Sequence, residues 1–408
     1  MMETKKSKPY ILNKNAIFHF NKYNLRRKKF YEWATETTKN IENLRNHKLK
    51  DKHAPKFVDI SDVWHIDGWN NSNERNDKNF IDLFSGAGGL SCGLVMAGFN
   101  PIANVEIMPQ ALETYKFNFV EKKGFYKNCE TRDIRTEKVK LDLYNSVKGK
   151  KVNLIVGGFP CQGFSIAGKR LVFDSRNGLY LEMLEIVKRL LPDFVVMENV
   201  EGLRTMLKGQ VEKKILEDYE AIGYKINVAT LNSADYYVPQ IRKRVIFIAN
   251  RIGVDNLFPK PLIEKENYVS IGTAIRKYID LDEDPTINHI FTKHKQETIR
   301  KIEKVEEGES LYNNFKHSWY RSPWNKPSCT IKENHGGVNI HPILNRVLTP
   351  RELAALQSFP DDFIFKGSKK WQLVQIGNAV PPLLAKAIGL SIRKSYENKN
   401  QETTISKH

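Results

Sequence analysis

The chain has 408 residues with 65 Lys and Arg against 47 Asp and Glu, a net charge of +18. That length can bury one large core and carry a second, smaller unit, and the positive balance suits a polyanionic partner. Its four cysteines, Cys92, Cys129, Cys161 and Cys329, are far apart, with no CxxC and no cysteine–histidine pair at zinc spacing, so neither a disulfide framework nor a metal site is expected.

The amino terminus reads Met-Met-Glu-Thr-Lys-Lys, without a secretory leader, and no run of about 18 apolar residues follows. A cytoplasmic chain without a membrane partner is expected. Residues 1–78 form a basic, polar extension: residues 1–56 hold 15 Lys and Arg against 5 Asp and Glu, an excess of +10. Its densest block is Lys22 to Lys29, a helix is expected from about Tyr31 to His47, and the polar run Asn70 to Asn79 reads as a linker. Strand candidates then alternate with helical patterns. The strands are Phe80–Phe84, Ile102–Val105, Val152–Val156, Phe194–Met197, Lys225–Leu231 and Val245–Ile248; the helices are Leu90–Ala97, Pro109–Phe119, Leu179–Leu191 and Lys208–Ile222. This alternation predicts an α/β fold, doubly wound around a mostly parallel, Rossmann-like sheet. It covers a catalytic domain over residues 79–250. From 251 to 345 turn residues, tryptophan, histidine and charge are mixed, as in an inserted, smaller domain. Helical signals return over 346–396, where Thr349 and Glu352 occupy capping-box positions. A polar tail, 397–408, closes the chain.

Three stretches carry chemistry. Gly157-Gly-Phe-Pro-Cys-Gln-Gly-Phe-Ser165 places Cys161 in a Gly/Pro-stiffened loop just after a buried strand, where an α/β sheet collects its ligands. Phe80 to Leu90 is a strand, a glycine turn and a helix. With Gly86 and Gly88 as the first two glycines of a dinucleotide fingerprint, the third slot holds Ser91. Glu106 ends the next strand, where a carboxylate can accept both ribose hydroxyls. A glycine turn with a ribose-binding acid, but without the phosphate fingerprint, suits a phosphate-free nucleoside cofactor such as S-adenosylmethionine; a plain structural turn remains the alternative. Glu198 ends the strand Phe194-Val-Val-Met-Glu-Asn-Val200. In Gln240-Ile-Arg-Lys-Arg244 the two arginines share one face if the strand begins there, either solvated or poised for a phosphate or a base carbonyl.

Taken in order, these motifs resemble the cytosine-C5 DNA methyltransferases of bacterial restriction–modification systems. Arg351-Glu-Leu-Ala-Ala-Leu-Gln-Ser-Phe-Pro360 and Gln375-Ile-Gly-Asn-Ala-Val-Pro-Pro382 complete the set. The resemblance runs from about Phe80 to Gly389 and leaves out a variable stretch near 250–328. It implies that Cys161 attacks C6 of a flipped-out cytosine, so that C5 takes the methyl group of S-adenosylmethionine. Glu198 would contact N3 and the exocyclic amine, donating a proton at N3. Arg244 would bind the cytosine carbonyl, and Arg242 would support the cysteine loop or backbone phosphates. Phe84, Gly86 and Gly89 fall beside the methionine moiety, Glu106 on the ribose and Ile107 on the adenine face. Asp133 and Ile134 match the adenine-edge pair, although Arg132 stands where the family carries glycine. Pro160 and Asn378 would close the site. Ser165 to Arg176 would form a loop closing over the base, with Gln162, Ser165, Arg176 and Gln240 toward DNA. Residues 251–345 correspond to a target-recognition domain, with Thr330 either near its recognition element or an ordinary strand residue. The partners implied are duplex DNA and a cognate restriction endonuclease, with the methyltransferase itself a monomer. Rival readings are a tRNA cytosine-5 methyltransferase of the same family, and a catalytically silent DNA-binding regulator that would be expected to lose Cys161, Glu198 or Arg244. Ser91 disfavours a nicotinamide oxidoreductase, and the lack of a histidine near any motif disfavours a cysteine hydrolase.

Overall fold

Near-continuous apolar runs make strands that are buried on both faces, and here they assemble one central sheet. The computed structural model describes residues 52–405 except 72, 74–76, 127–131, 161–163, 168–169, 174–178, 313–318 and 333–338; residues 164–167, 170–173 and 400–405 are described by their backbone alone. In chain order the elements are β1 (Lys56–Val58), β2 (Asn79–Leu83), α1 (Gly89–Met96), β3 (Asn100–Val105), α2 (Pro109–Tyr115), α3 (Glu137–Ser146) and β4 (Leu154–Gly157). The hairpin β5 (Phe164–Ala167) and β6 (Arg170–Phe173) follows, then α4 (Leu179–Leu190), β7 (Phe194–Val200), α5 (Gln210–Ala221), β8 (Lys225–Asn232) and β9 (Lys243–Asn250).

The six-stranded sheet has the order β3-β2-β4-β7-β9-β8. The first four strands are parallel, and β9 runs antiparallel to both β7 and β8. Alternate residues of each strand feed two separate cores. Phe80, Leu154, Val156, Phe194 and Val196 pack toward α1 and the carboxyl-terminal helices. Ile81, Leu83, Ile155, Val195 and Met197 pack toward α4 and α5. The sheet is therefore covered on both faces, as the alternation predicts.

Beyond the sheet come β10 (Leu257–Pro259), α6 (Ile271–Ile275), α7 (Gln296–Glu303), the two-residue strands β11 (Tyr320–Arg321) and β12 (Asn339–Ile340), α8 (Pro350–Leu356), α9 (Lys369–Asn378) and α10 (Pro382–Ile405). Both halves of the Thr349–Glu352 capping box form at the start of α8. α10 crosses α1 at backbone contact: a Cβ on Gly93 would lie 2.1 Å from Pro382 O, and one on Gly389 would lie 2.7 Å from Ala97 Cβ. Among the described residues one helical stretch, 369–399, is long and apolar enough to span a bilayer, and it is buried in this core instead.

Two expected boundaries move. Residues 54–78 are not a detached extension: β1 pairs in parallel with β10, and Ile60, Ile66 and Trp69 join the core beside α1. The basic block and the helix expected near Tyr31 lie outside the described residues. The inserted domain is also narrower than 251–345, since Phe258, Ile271, Ile275 and Tyr278 belong to the main core. A satellite core of Ile302, Val305 and Ile340, with Leu311 and Trp319 against it, marks the separate part. Arg321 organises it from within, donating to the carbonyls of Ile302 (2.8 Å), Val305 (2.7 Å) and His341 (2.8 Å).

Candidate active site

Strand register sets the site. Leu83 lies level with Val105 and Gly157, and Gly157 lies level with Met197. Phe84, Glu106 and Gly158 therefore leave the sheet side by side at its carboxyl edge, level with Glu198, which is still within β7 and opposite Ile246 of β9. The chain diverges there, because β2 has β3 on one flank and β4 on the other. Such a switch point opens a crevice for a ligand.

Phe84 (φ 60°), Gly86 (φ 54°) and Gly88 (φ 95°) take left-handed backbone in the turn after β2. One carboxylate oxygen of Glu106 accepts the Gly86 N–H at 2.7 Å and the other accepts the Met108 N–H at 2.7 Å. Burial raises the pKa of this carboxyl, and those two N–H groups work against the shift. Each oxygen keeps a further acceptor position, enough for two vicinal hydroxyls. Gly86 faces open space, with nothing within 4 Å of the place a Cβ would occupy. Ile107 is 55% exposed and offers an apolar face beside the acid. A nucleoside fits this set. A pyrophosphate does not, because the amino terminus of α1 is covered: a Cβ on Gly89 would lie 2.3 Å from Val380 O. Gly89, expected beside the cofactor, instead admits the carboxyl-terminal segment.

The remaining cofactor candidates are placed unevenly. Pro160 and Asn378 are exposed. Ile134 is buried among the α4-side core residues. Asp133 is held by Arg135, whose Nη2 donates to it at 2.6 Å, and that hydrogen bond keeps its carboxyl below the usual range. Beneath the turn, Ser91 fills the third-glycine position with a purpose of its own: its hydroxyl donates to the buried Asp82 at 2.6 Å and meets Tyr115 Oη at 2.9 Å. Burial pushes the Asp82 carboxyl up to about 7, with the Ser91 hydrogen bond opposing and Glu106 adding.

On the other side of the crevice, Glu198 and Arg244 form an ion pair, Nε to Oε1 2.8 Å. Antiparallel register makes it: Val200 of β7 lies opposite Arg244 of β9. A Cβ on Gly158 would lie 3.0 Å from Glu198 Oε2, so a side chain there would crowd the carboxylate. Asn199 donates from Nδ2 to Phe159 O at 2.7 Å, tying the strand that carries Glu198 to the segment leading into Cys161. Asn199 went unnoticed in the sequence as a tie, because its acceptor lies 40 positions earlier. The only available signal was its place next to Glu198.

Arg242 and Gln240 turn inward. Arg242 donates to Ile331 O (2.9 Å) and Gly377 O (3.0 Å), and burial first, then the charge of Arg244, pulls its pKa down to about 9. A side chain 3% exposed is not placed to meet a backbone phosphate. Gln240, expected toward DNA, is fully buried; it donates to Gln357 Oε1 and accepts the Ile331 N–H, both at 2.9 Å. Thr330 spends its hydroxyl on Ile241 O at 2.8 Å, in a segment that bridges in parallel to Gln240. These residues brace the crevice from behind. Cys161, Gln162 and Arg176 lie outside the described residues, and Ser165 is seen only as backbone of the β5–β6 hairpin.

A crevice at the switch point of a doubly wound sheet, with a glycine turn and an acid on one side and an acid–arginine pair on the other, is the arrangement of a Rossmann-like enzyme. Comparison with known proteins gives the particular family. The model of the C-5 cytosine-specific DNA methylases matches residues 78–394. The chain is 39% identical to the type II methyltransferase M1.HphI of Haemophilus parahaemolyticus, over 78% of this chain and 88% of that one. It is 33% identical to M.DdeI of Desulfomicrobium norvegicum, over 79% and 90%. Among solved structures, a DNA modification methyltransferase encoded within an E. coli prophage superposes with a TM-score of 0.64 at 26% identity, covering 78% of this chain and 99% of that one. The S. pombe Dnmt2 methyltransferase shares the fold at a TM-score of 0.56 and 18% identity, over 79% and 99%. The chain belongs to the C-5 cytosine-specific DNA methylase family and is a DNA cytosine-5 methyltransferase of restriction–modification type.

Proposed function

We propose that the enzyme transfers a methyl group from S-adenosylmethionine to C5 of a cytosine flipped out of one short duplex sequence, through a covalent Cys161–C6 adduct. The observation that carries the reading is the alignment of Glu106 and the Glu198–Arg244 pair along one sheet edge, with Phe159, two residues before Cys161, tied to Asn199 beside that pair. Bound at the Gly86 turn, the cofactor supplies an electrophilic methyl group on a sulfonium. Glu106 holds the ribose hydroxyls, Ile107 covers the adenine, and Asn378 and Pro160 border the opening. Sulfur is nucleophilic enough to add to a pyrimidine and a good enough leaving group to depart. The Cys161 thiolate forms a bond to C6, Glu198 holds the proton at N3, and Arg244 binds the carbonyl oxygen. Negative charge thus builds at C5, which takes the methyl group as the S–CH3 bond breaks and its electron pair stays on sulfur as a neutral thioether. Loss of the C5 proton to solvent and of the thiolate from C6 restores the aromatic ring. Methylation of this kind shields host DNA from a cognate restriction endonuclease, and the chain acts as a monomer.

The test is transfer of labelled methyl from S-adenosylmethionine to unmodified duplex DNA, with bulk tRNA in parallel, followed by base-resolution mapping of 5-methylcytosine. Label at one recurring short sequence is expected. Cys161→Ser should abolish transfer while holding cofactor affinity within about threefold. Label on tRNA alone, or undiminished transfer by the serine variant, would overturn the reading.

A further inference from the structure

Residues 54–70 precede the stretch matched by the family, which begins at residue 78. They are nevertheless built into the catalytic unit and reach the cofactor turn through a chain of ring contacts. Gly68 packs so tightly on α1 that a Cβ there would lie 2.4 Å from Val95 O. The next residue, Trp69, is 1% exposed. Its indole N–H donates to Asp362 Oδ1 at 3.0 Å, and Lys123 Nζ stands 4.4 Å from the ring centroid. The ring meets Phe119 edge to face, with centroids 5.7 Å apart.

Phe119 does not lie in regular α-helix. α2 ends at Tyr115 and a π-helical turn, Lys116–Glu121, continues it. The wider turn shifts side chains from their α-helical positions, and such turns are frequent at functional sites. Phe119, within this turn, lies between two walls. It stacks on Tyr115 at 4.3 Å, and it fills the space under Gly88, where a Cβ would come within 2.4 Å of Phe119 Cε2. Tyr115 in turn meets Ser91. The floor of the Gly86–Gly88 turn is thus an aromatic layer whose far side is closed by Trp69.

We propose that Trp69 is a positioning residue for the cofactor turn, acting through Phe119 on Gly88. A close-packed interior transmits the removal of a side chain to its neighbours. Without the indole, Phe119 can relax away from Gly88, and the left-handed turn that aims the Gly86 N–H at Glu106 loses its support. This rests on the reading that S-adenosylmethionine binds at that turn and at Glu106.

The experiment uses full-length Trp69→Ala, Trp69→Phe and Phe119→Leu, with Glu106→Ala as reference. S-adenosylmethionine affinity is measured by calorimetry below each variant's unfolding transition, and amide hydrogen exchange is followed over residues 84–92 without ligand. Trp69→Ala should weaken the cofactor about tenfold and speed exchange at the turn, leave kcat at saturating cofactor within about twofold, and be largely rescued by Trp69→Phe. Phe119→Leu should reproduce the loss, which keeps the inference testable if Trp69→Ala does not fold. Wild-type affinity in folded Trp69→Ala or in Phe119→Leu, while Glu106→Ala weakens binding, overturns the role of Trp69 and leaves the cofactor site standing. Unchanged affinity in Glu106→Ala removes the cofactor site itself, and the inference with it.

Discussion

Asn199→Ala deletes one buried hydrogen bond, from Asn199 Nδ2 to Phe159 O at 2.7 Å. Phe159 is 2% exposed, so its carbonyl gains no water in exchange. An unpaired buried polar group costs about 1–3 kcal/mol. If that cost falls on the arrangement in which Glu198 and the Cys161 loop are held together, the productive population drops by roughly 5- to 150-fold, at about 1.4 kcal/mol per factor of ten. Single-turnover methyl transfer onto saturating duplex DNA, with saturating cofactor, should slow by that factor. Cofactor affinity should stay within about twofold, because Asn199 makes no hydrogen bond to the Gly86–Glu106 turn. Asn199→Asp should be slower still, since it sets a carboxylate against the Phe159 carbonyl and beside Glu198. A wild-type rate in Asn199→Ala, or a loss of cofactor affinity equal to the loss of rate, would refute the idea that this amide joins acid and nucleophile.

Asp82 predicts a pH effect. Its carboxyl, raised by burial to about 7, keeps a proton that the unfolded chain releases near its ordinary value of about 3.9. The stability this group contributes is therefore fully present below about pH 4 and lost as pH climbs to about 7. Asp82→Asn should flatten the unfolding free energy across that window, and a profile that superimposes on wild type would sink the assignment. The basic amino terminus predicts a salt effect. Deletion of residues 1–53, which spares the core-forming stretch from Ala54 onward, should flatten the slope of log affinity for random-sequence duplex against log salt, by about 0.9 for each phosphate those residues neutralise. An unchanged slope would show that residues 1–53, with 14 Lys and Arg against 5 Asp and Glu, neutralise no phosphate.

By itself the sequence determined the alternating α/β sheet, because strands buried on both faces must be apolar and their helices must carry one apolar stripe. It also marked Glu106 and Glu198, since each closes an apolar strand at the sheet edge where ligands of such folds collect. It could not sort Gln240-Ile-Arg-Lys-Arg244. Linear spacing makes Gln240, Arg242 and Arg244 equivalent polar residues, whereas the fold buries two of them under residues 328–331 and Gly377 and leaves Arg244 to pair with Glu198. The two ends of that ion pair lie 46 positions apart, and only the antiparallel insertion of β9 beside β7 brings them level. Trp69 was hidden for the same reason. It stands at the end of the stretch read as a basic, polar extension, just before the run Asn70 to Asn79 that reads as linker, and its burial depends on α1, Phe119 and Phe363 meeting there. Whether a side chain faces a ligand, a carbonyl or the core is decided by what packs over it, and in this chain the covering pieces come from segments tens to hundreds of residues away.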